Sequence, residues 1–248
     1  MRKLFVLSCL IIAIQFDAFS QTCLPGMTNF STQVSIDSFQ VNYPNCTQIE
    51  GDVIIDGDEI TNLNGLSVLT SIWGTLDLWH NESLTNLSGL NNLESIGTDL
   101  YIMESILVSL GGFDKLTSIG GDFKIYNNNS LSSLSGLESL TTIGGSVFIG
   151  DNLLEVGNPS LIDLTGFENV SSIGGDVKIM YNDALVNLSG CEGLSNIVGD
   201  LWIDYNPMLT TVIGLNNLTS IGGELSLSGN LSLDTISGLL GLNYIGNG

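Results

Sequence analysis

Arginine does not occur after Arg2, and after Lys3 the only lysines are Lys115, Lys124 and Lys178. Against them stand 26 aspartates and glutamates in 248 residues, for a formal net charge of −21. Such a surface repels phosphate backbones and anionic lipid, which argues against nucleic-acid binding. Histidine occurs once, as His80, and the four cysteines have no zinc-type spacing, so no metal or cofactor site is expected. No apolar run reaches the roughly 20 residues that a membrane span needs, so membrane insertion is not expected either. An enzyme that cleaves acidic polysaccharides commonly needs a strong base and cations placed at developing negative charge. This chain has little of either, and His80 has no nucleophile motif beside it. Carboxylate pairs are plentiful enough to leave glycoside hydrolysis compatible with composition, but their regular recurrence reads as architecture.

The first 20 residues have the layout of a secretory signal peptide. Arg2 and Lys3 precede an apolar run from Leu4 to Ile14, and Ala18-Phe19-Ser20 gives a small-x-small site before Gln21. The expectation is an exported protein, secreted or held at the cell surface. Cys9 leaves with that segment. Cys23 and Cys46 then flank a short stretch from Gln21 to Gln48, read as an N-terminal cap, and in an oxidising compartment they are expected to pair. Cys191 replaces a leucine of a repeated core position and reads as a small buried hydrophobe.

From residue 49 to 248 the chain repeats itself. The isoleucine that precedes the glycines recurs at Ile49, Ile72, Ile96, Ile119, Ile143, Ile173, Ile197, Ile221 and Ile245, at intervals of 23 or 24 residues with one of 30. A sustained period of this size indicates a solenoid. In one unit Leu131, Leu134, Leu137, Leu140 and Ile143 recur every three residues, too tightly for an amphipathic α-helix, and Val147 and Ile149 then alternate as in a strand. A single coil cannot bury its own apolar edge, whereas stacked coils share a core. The fold predicted is all-β, a right-handed parallel β-solenoid of about 24 residues per coil. The long interval carries an insertion around Leu153 to Asn158, expected to bulge as a loop.

Two polar columns fit the stacking. Asp58, Asn81, Ser105, Asn128, Asn152, Asn182, Asn206 and Asn230 follow the strand and read as an amide ladder tolerant of left-handed backbone. Asp52, Thr75, Asp99, Asp122, Ser146, Asp176, Asp200 and Glu224 follow the glycine turn and read as turn caps. A calcium ladder is the sharper alternative, but Thr75 and Ser146 interrupt it.

The stretch "CTQIEGDVII", Cys46 to Ile55, resembles the opening of the receptor L domain of insulin and epidermal growth factor receptors. The recurring "LTSIGGDFKIYNN" and "LTTIGGSVFIGDN" are similar to that family's strand units, themselves related to leucine-rich repeats and to exported surface proteins built from such units. The resemblance implies a non-catalytic ligand-binding module whose sheet contributes to ligand contact.

Core positions hardly vary between copies, so specificity is expected at the outward strand positions. Trp79, Tyr101, Tyr126, Phe148, Tyr181, Trp202 and Tyr205 all fall there, with Lys124 and Lys178 among them. Clustered aromatics on an exposed sheet mark an interaction surface. The expected partner is an extracellular protein or glycan. The alternatives are a structural solenoid whose aromatics only stabilise the sheet, a polysaccharide-degrading enzyme, and an ice binder using the largely hydroxyl column Ser71, Ser95, Ser118, Thr142, Ser172, Asn196 and Ser220. The closing "LNYIGNG" carries no polar cap, and an apolar solenoid end invites end-to-end self-association.

Overall fold

The computed structural model describes residues 21–246. The signal-peptide reading of residues 1–20 lies outside the described residues. The rest is a parallel β-solenoid of about nine turns. Each coil contributes one strand to a nine-stranded parallel sheet: Thr28–Phe30, Val53–Asp56, Leu76–Asn81, Leu100–Ser105, Phe123–Tyr126, Val147–Ile149, Val177–Met180, Leu201–Asp204 and Leu225–Ser226. Around a corner, two-residue strands such as Ser71–Ile72 and Ser118–Ile119 stack into a second parallel sheet of seven strands, which a three-stranded sheet continues through Asn196–Ile197, Ser220–Ile221 and Tyr244–Ile245.

The three-residue apolar spacing has a direct cause. Leu137 donates its N–H to the carbonyl of Leu134, and Leu140 to that of Leu137, so each step closes one tight turn and returns the next side chain to the interior. Leu131, Leu134, Leu137, Leu140, Ile143, Val147 and Ile149 are all buried, as is Cys191 in the corresponding column. Burial pushes the Cys191 thiol far up, so it stays protonated and inert.

Hydrogen-bonded ladders tie coil to coil. Asn182 donates Nδ2–H to the carbonyl oxygens of Ile149 and Met180, both at 2.9 Å, while its Oδ1 accepts from the N–H of Asn158 at 3.0 Å. Asn128, Asn158 and Asn206 repeat this pattern, each buried. The expected amide ladder is therefore present with two corrections. Its fifth-coil member is Asn158 and not Asn152, because the six extra residues 151–156 fall between the strand and the ladder position and leave Asn152 exposed. Asp58 is exposed too and takes no part, so Asn81 Oδ1 is left without a partner among the described residues. The left-handed backbone also lies one residue earlier than the ladder, at His80, Glu104, Asn127, Tyr181 and Tyr205, with φ between 50° and 58°.

The turn column behaves as caps. The side-chain oxygens of Asp99, Asp122, Ser146, Asp176 and Asp200 each accept the N–H of the equivalent residue one coil later, at 2.7–3.0 Å. A further column escaped the sequence reading: Glu138, Glu168, Glu192 and Asn216 reach back to the N–H of a glycine two residues earlier, at Gly136, Gly166, Gly190 and Gly214.

At the N-terminal end, Gln21–Cys23 and Thr28–Phe30 pair with the strands of the next coil, the first with a register shift after Gln21, followed by two short helices, Gln33–Asp37 and Phe39–Asn42. Ile36 and Phe39 bury the apolar edge, and the Cys23–Cys46 disulfide closes the segment. At the other end the final coil leaves Leu231, Ile236, Leu240 and Ile245 exposed.

Candidate ligand-binding face

The nine-stranded sheet turns every second side chain inward, and the alternate ones form columns on its outer face. In the first column Asp77, Tyr101, Lys124, Phe148, Lys178, Trp202 and Ser226 are consecutive partners in strictly parallel register. Aromatic rings and lysines alternate at its centre. Lys124 Nζ lies 5.2 Å from the Tyr101 ring centroid and 4.9 Å from that of Phe148. Lys178 Nζ lies 5.9 Å from Phe148 and 3.9 Å from Trp202. These are cation–π distances, worth about 0.5–1 kcal/mol each where water still reaches them.

Each lysine is also paired with the turn-column aspartate of its own coil, Lys124 with Asp122 at 3.6 Å and Lys178 with Asp176 at 3.1 Å. Burial pushes the Asp176 carboxyl up, but the N–H of Asp200 and the Lys178 ammonium outweigh it and hold it below its ordinary value. Tyr101 is moved well up, by burial first and then by its 2.7 Å hydrogen bond to Asp99. Two polar atoms of this column are buried without a partner among the described residues, Asp77 Oδ1 and Trp202 Nε1.

The second column begins outward, with Trp79 39% exposed and Met103 and Tyr126 half-buried. It does not stay outward as the alternation predicts. Met180 and Asp204 are buried. Asp204 accepts hydrogen bonds from Ser226 Oγ and the Ser228 N–H, which fold over it at 2.8 Å and 2.6 Å. Met180 lines the same cleft as the 151–156 insertion, where Gly150 leaves the column without a side chain.

The third column is the left-handed one. Tyr181 and Tyr205 stack there, with centroids 5.0 Å apart and rings 7° from parallel. At the opposite end His80 stacks on Trp79 at 3.9 Å, and its Nε2 is 2.6 Å from Glu104 Oε2. A left-handed conformation costs an ordinary residue about 1–2 kcal/mol that glycine would not incur, yet bulky side chains are kept at these positions.

All seven aromatics expected at the face are thus on it, but only Trp79 and Tyr205 are exposed. Tyr101, Tyr126, Phe148, Tyr181 and Trp202 are half-buried by their neighbours along the columns. A cleft of about 250 Å³ opens between Phe148 and the insertion, with Lys124, Lys178 and Tyr126 on the sheet side and Asp151 and Asn152 on the loop side. The loop closes on itself through the backbone pair Asp151 and Val156, and Asp151 Oδ1 accepts the N–H of Leu154 at 2.7 Å. That this loop walls a cleft was not read from the sequence, although the 30-residue interval marked where to look.

Among the described residues no group of three or more His, Cys, Asp or Glu side chains is placed to hold a metal ion, and no helix is long and apolar enough to cross a membrane. Residues 45–110 match the family model described as Receptor L domain. That match covers the first coils and agrees with the resemblance read from Cys46 onward. No curated protein and no solved structure matches the chain.

Proposed function

We propose that this is an extracellular recognition module, secreted or displayed at the cell surface, which binds a protein or glycan through the outer face of the nine-stranded sheet and performs no catalysis. The observation that carries this reading is the column of alternating aromatics and lysines held in register from Tyr101 to Trp202. In a chain with three lysines after residue 3, two are spent there. The stacked aromatics around it supply rigid apolar area of the kind that dominates binding energetics. The match to the Receptor L domain supports a ligand-binding role, and the disulfide suits an extracellular setting.

The test is a panel of glycans and surface proteins offered to the chain and to a variant with Tyr101, Tyr126, Trp202 and Tyr205 all changed to alanine. Both are first checked for matching circular dichroism. Binding by the parent that falls at least tenfold in the folded variant is expected. Equal binding by both would place the site elsewhere.

The half-burial of five of the seven aromatics favours a second reading, a structural solenoid in which the columns stabilise the sheet. On that reading the variant loses stability and there is no ligand to lose. In the final coil Ile236 and Ile245 are exposed where Val212 and Ile221 are buried one coil earlier, which supports end-to-end pairing of two copies. Sedimentation should then show concentration-dependent association that Ile236→Glu removes, and a monomer at all concentrations would dismiss it.

A further inference from the structure

The cleft beside the insertion has the size and chemistry of a subsite for a single uncharged sugar ring. This rests on the reading of the outer face as a binding surface and assigns its ligand class. Pockets for drug-sized molecules run from about 300 to 1,000 Å³, so a cleft of about 250 Å³ takes something smaller, of the order of one ring. Its apolar surface comes from Tyr126, Met180 and Leu153 beside the gap at Gly150, and from Phe148, whose ring already carries Lys124 and Lys178 over it, and such surface suits the apolar C–H face of a pyranose. Its walls offer both donors and acceptors. An ammonium has three N–H donors and an amide both kinds of group, so Lys124, Lys178 and Asn152 can donate while Asp151 and the Tyr126 hydroxyl accept.

Charge decides against an ionic ligand. Both lysines are already balanced by Asp122 and Asp176, so the cleft has no surplus positive charge to hold a carboxylate or phosphate. The whole chain, at −21, repels anions on approach. A cationic ligand would meet the two ammonium groups at the floor. Tyr126 stays a neutral hydroxyl, since burial first and the Asp151, Glu104 and Asp77 carboxylates next all raise it. We infer that the 151–156 insertion exists to make one wall of a neutral-sugar subsite on the aromatic face.

The repeat itself supplies the control. Deleting residues 151–156 joins Gly150 to Gly157 and shortens the interval from Ile143 to Ile173 from 30 to 24 residues, the spacing of its neighbours. The deletion should fold, with the aromatic columns intact and the cleft open on one side. The probes are glucose, galactose, mannose and N-acetylglucosamine with their trisaccharides, and glucuronate and glucosamine as charged counterparts, titrated by calorimetry or NMR. At least one neutral sugar should bind, with the deletion and Phe148→Leu each weakening it at least tenfold and the charged counterpart binding less well.

Neutral-sugar binding that survives the deletion but is lost in the four-site alanine variant overturns the subsite and leaves the face standing. Face-dependent binding of a protein, with none of the neutral sugars bound, does the same. Preference for glucuronate overturns the assignment of an uncharged ligand. If the deletion fails to fold, Phe148→Leu carries the comparison, and unchanged sugar affinity in that variant overturns the subsite.

Discussion

At Asp77 a carboxylate occupies a position where the neighbouring coils place Ile54 and Tyr101. Its Oδ1 is buried with no partner among the described residues, and burial first, then the nearby Asp56, push its titration above the ordinary carboxylate value. The sign follows from the raised folded-state value. Protonated Asp77 is the better tolerated form in the fold, so its favourable contribution is fully present below the unfolded carboxylate value and is lost as pH rises through the folded one. Asp77→Asn should therefore stabilise the protein at pH 7 by about 0.5 kcal/mol, a small figure because the group is only half-buried and water still screens it. The gain should disappear when melting is repeated near pH 3. A gain that persists undiminished at pH 3 would show that charge was not the cause. Nothing in the sequence marked Asp77 out, because its type was ordinary for an outward position. Its cost comes from the two side chains that the register sets on either side of it.

Between coils, the ladder residues test which asparagine belongs to which element. Asn158 is buried, accepts the N–H of Asn128 and donates to the carbonyl of Ile125 at 3.0 Å, whereas Asn152 is exposed on the insertion. Removing the Asn158 amide leaves the Asn128 N–H buried and unpaired, while the Ile125 carbonyl still accepts the Gly150 N–H. At about 1–3 kcal/mol for an unsatisfied buried group, Asn158→Ala should cost roughly 1–3 kcal/mol in urea unfolding. Asn152→Ala should stay within about 0.5 kcal/mol. Equal costs would restore the assignment that simple counting from the strand suggests. That assignment failed for a physical reason. Period counting places an insertion only to within a few residues, and here both Asn152 and Asn158 satisfy the residue type. Only the backbone closure between Asp151 and Val156 decides which returns to the ladder. The coil period, the inward strand positions and the turn caps were legible because each recurs in nearly every copy. The cleft was not, since it depends on how a unique segment leans against three coils.

Over the whole molecule the contacts are nearly one-dimensional: each coil touches its neighbours and little else, so stability is a sum of coil and interface terms. The two ends differ sharply. The first coil is tied by the Cys23–Cys46 crosslink, which closes a loop of sequence separation 23 and is worth about 3 kcal/mol on loop-entropy grounds, and by Ile36 and Phe39 packed over it. Among the described residues the last coil has no such cover. Ile221 is fully buried, but its successor in the same column, Ile245, is 40% exposed, and Leu225 is only half-buried. Fraying should therefore start at the C-terminal coil and move inward. Native-state hydrogen exchange should rank amide protection lowest at Leu225–Ser226, higher at Leu201–Asp204 and highest in the central strands Phe123–Tyr126 and Val147–Ile149. Reducing the disulfide should lower protection at Thr28–Phe30 and Val53–Asp56 and leave the C-terminal order unchanged. Uniform protection along the axis, lost everywhere together on reduction, would mean that the coils unfold as one cooperative unit. The aromatic face would then share a single stability with the ends, and it could not keep its geometry while an end opens.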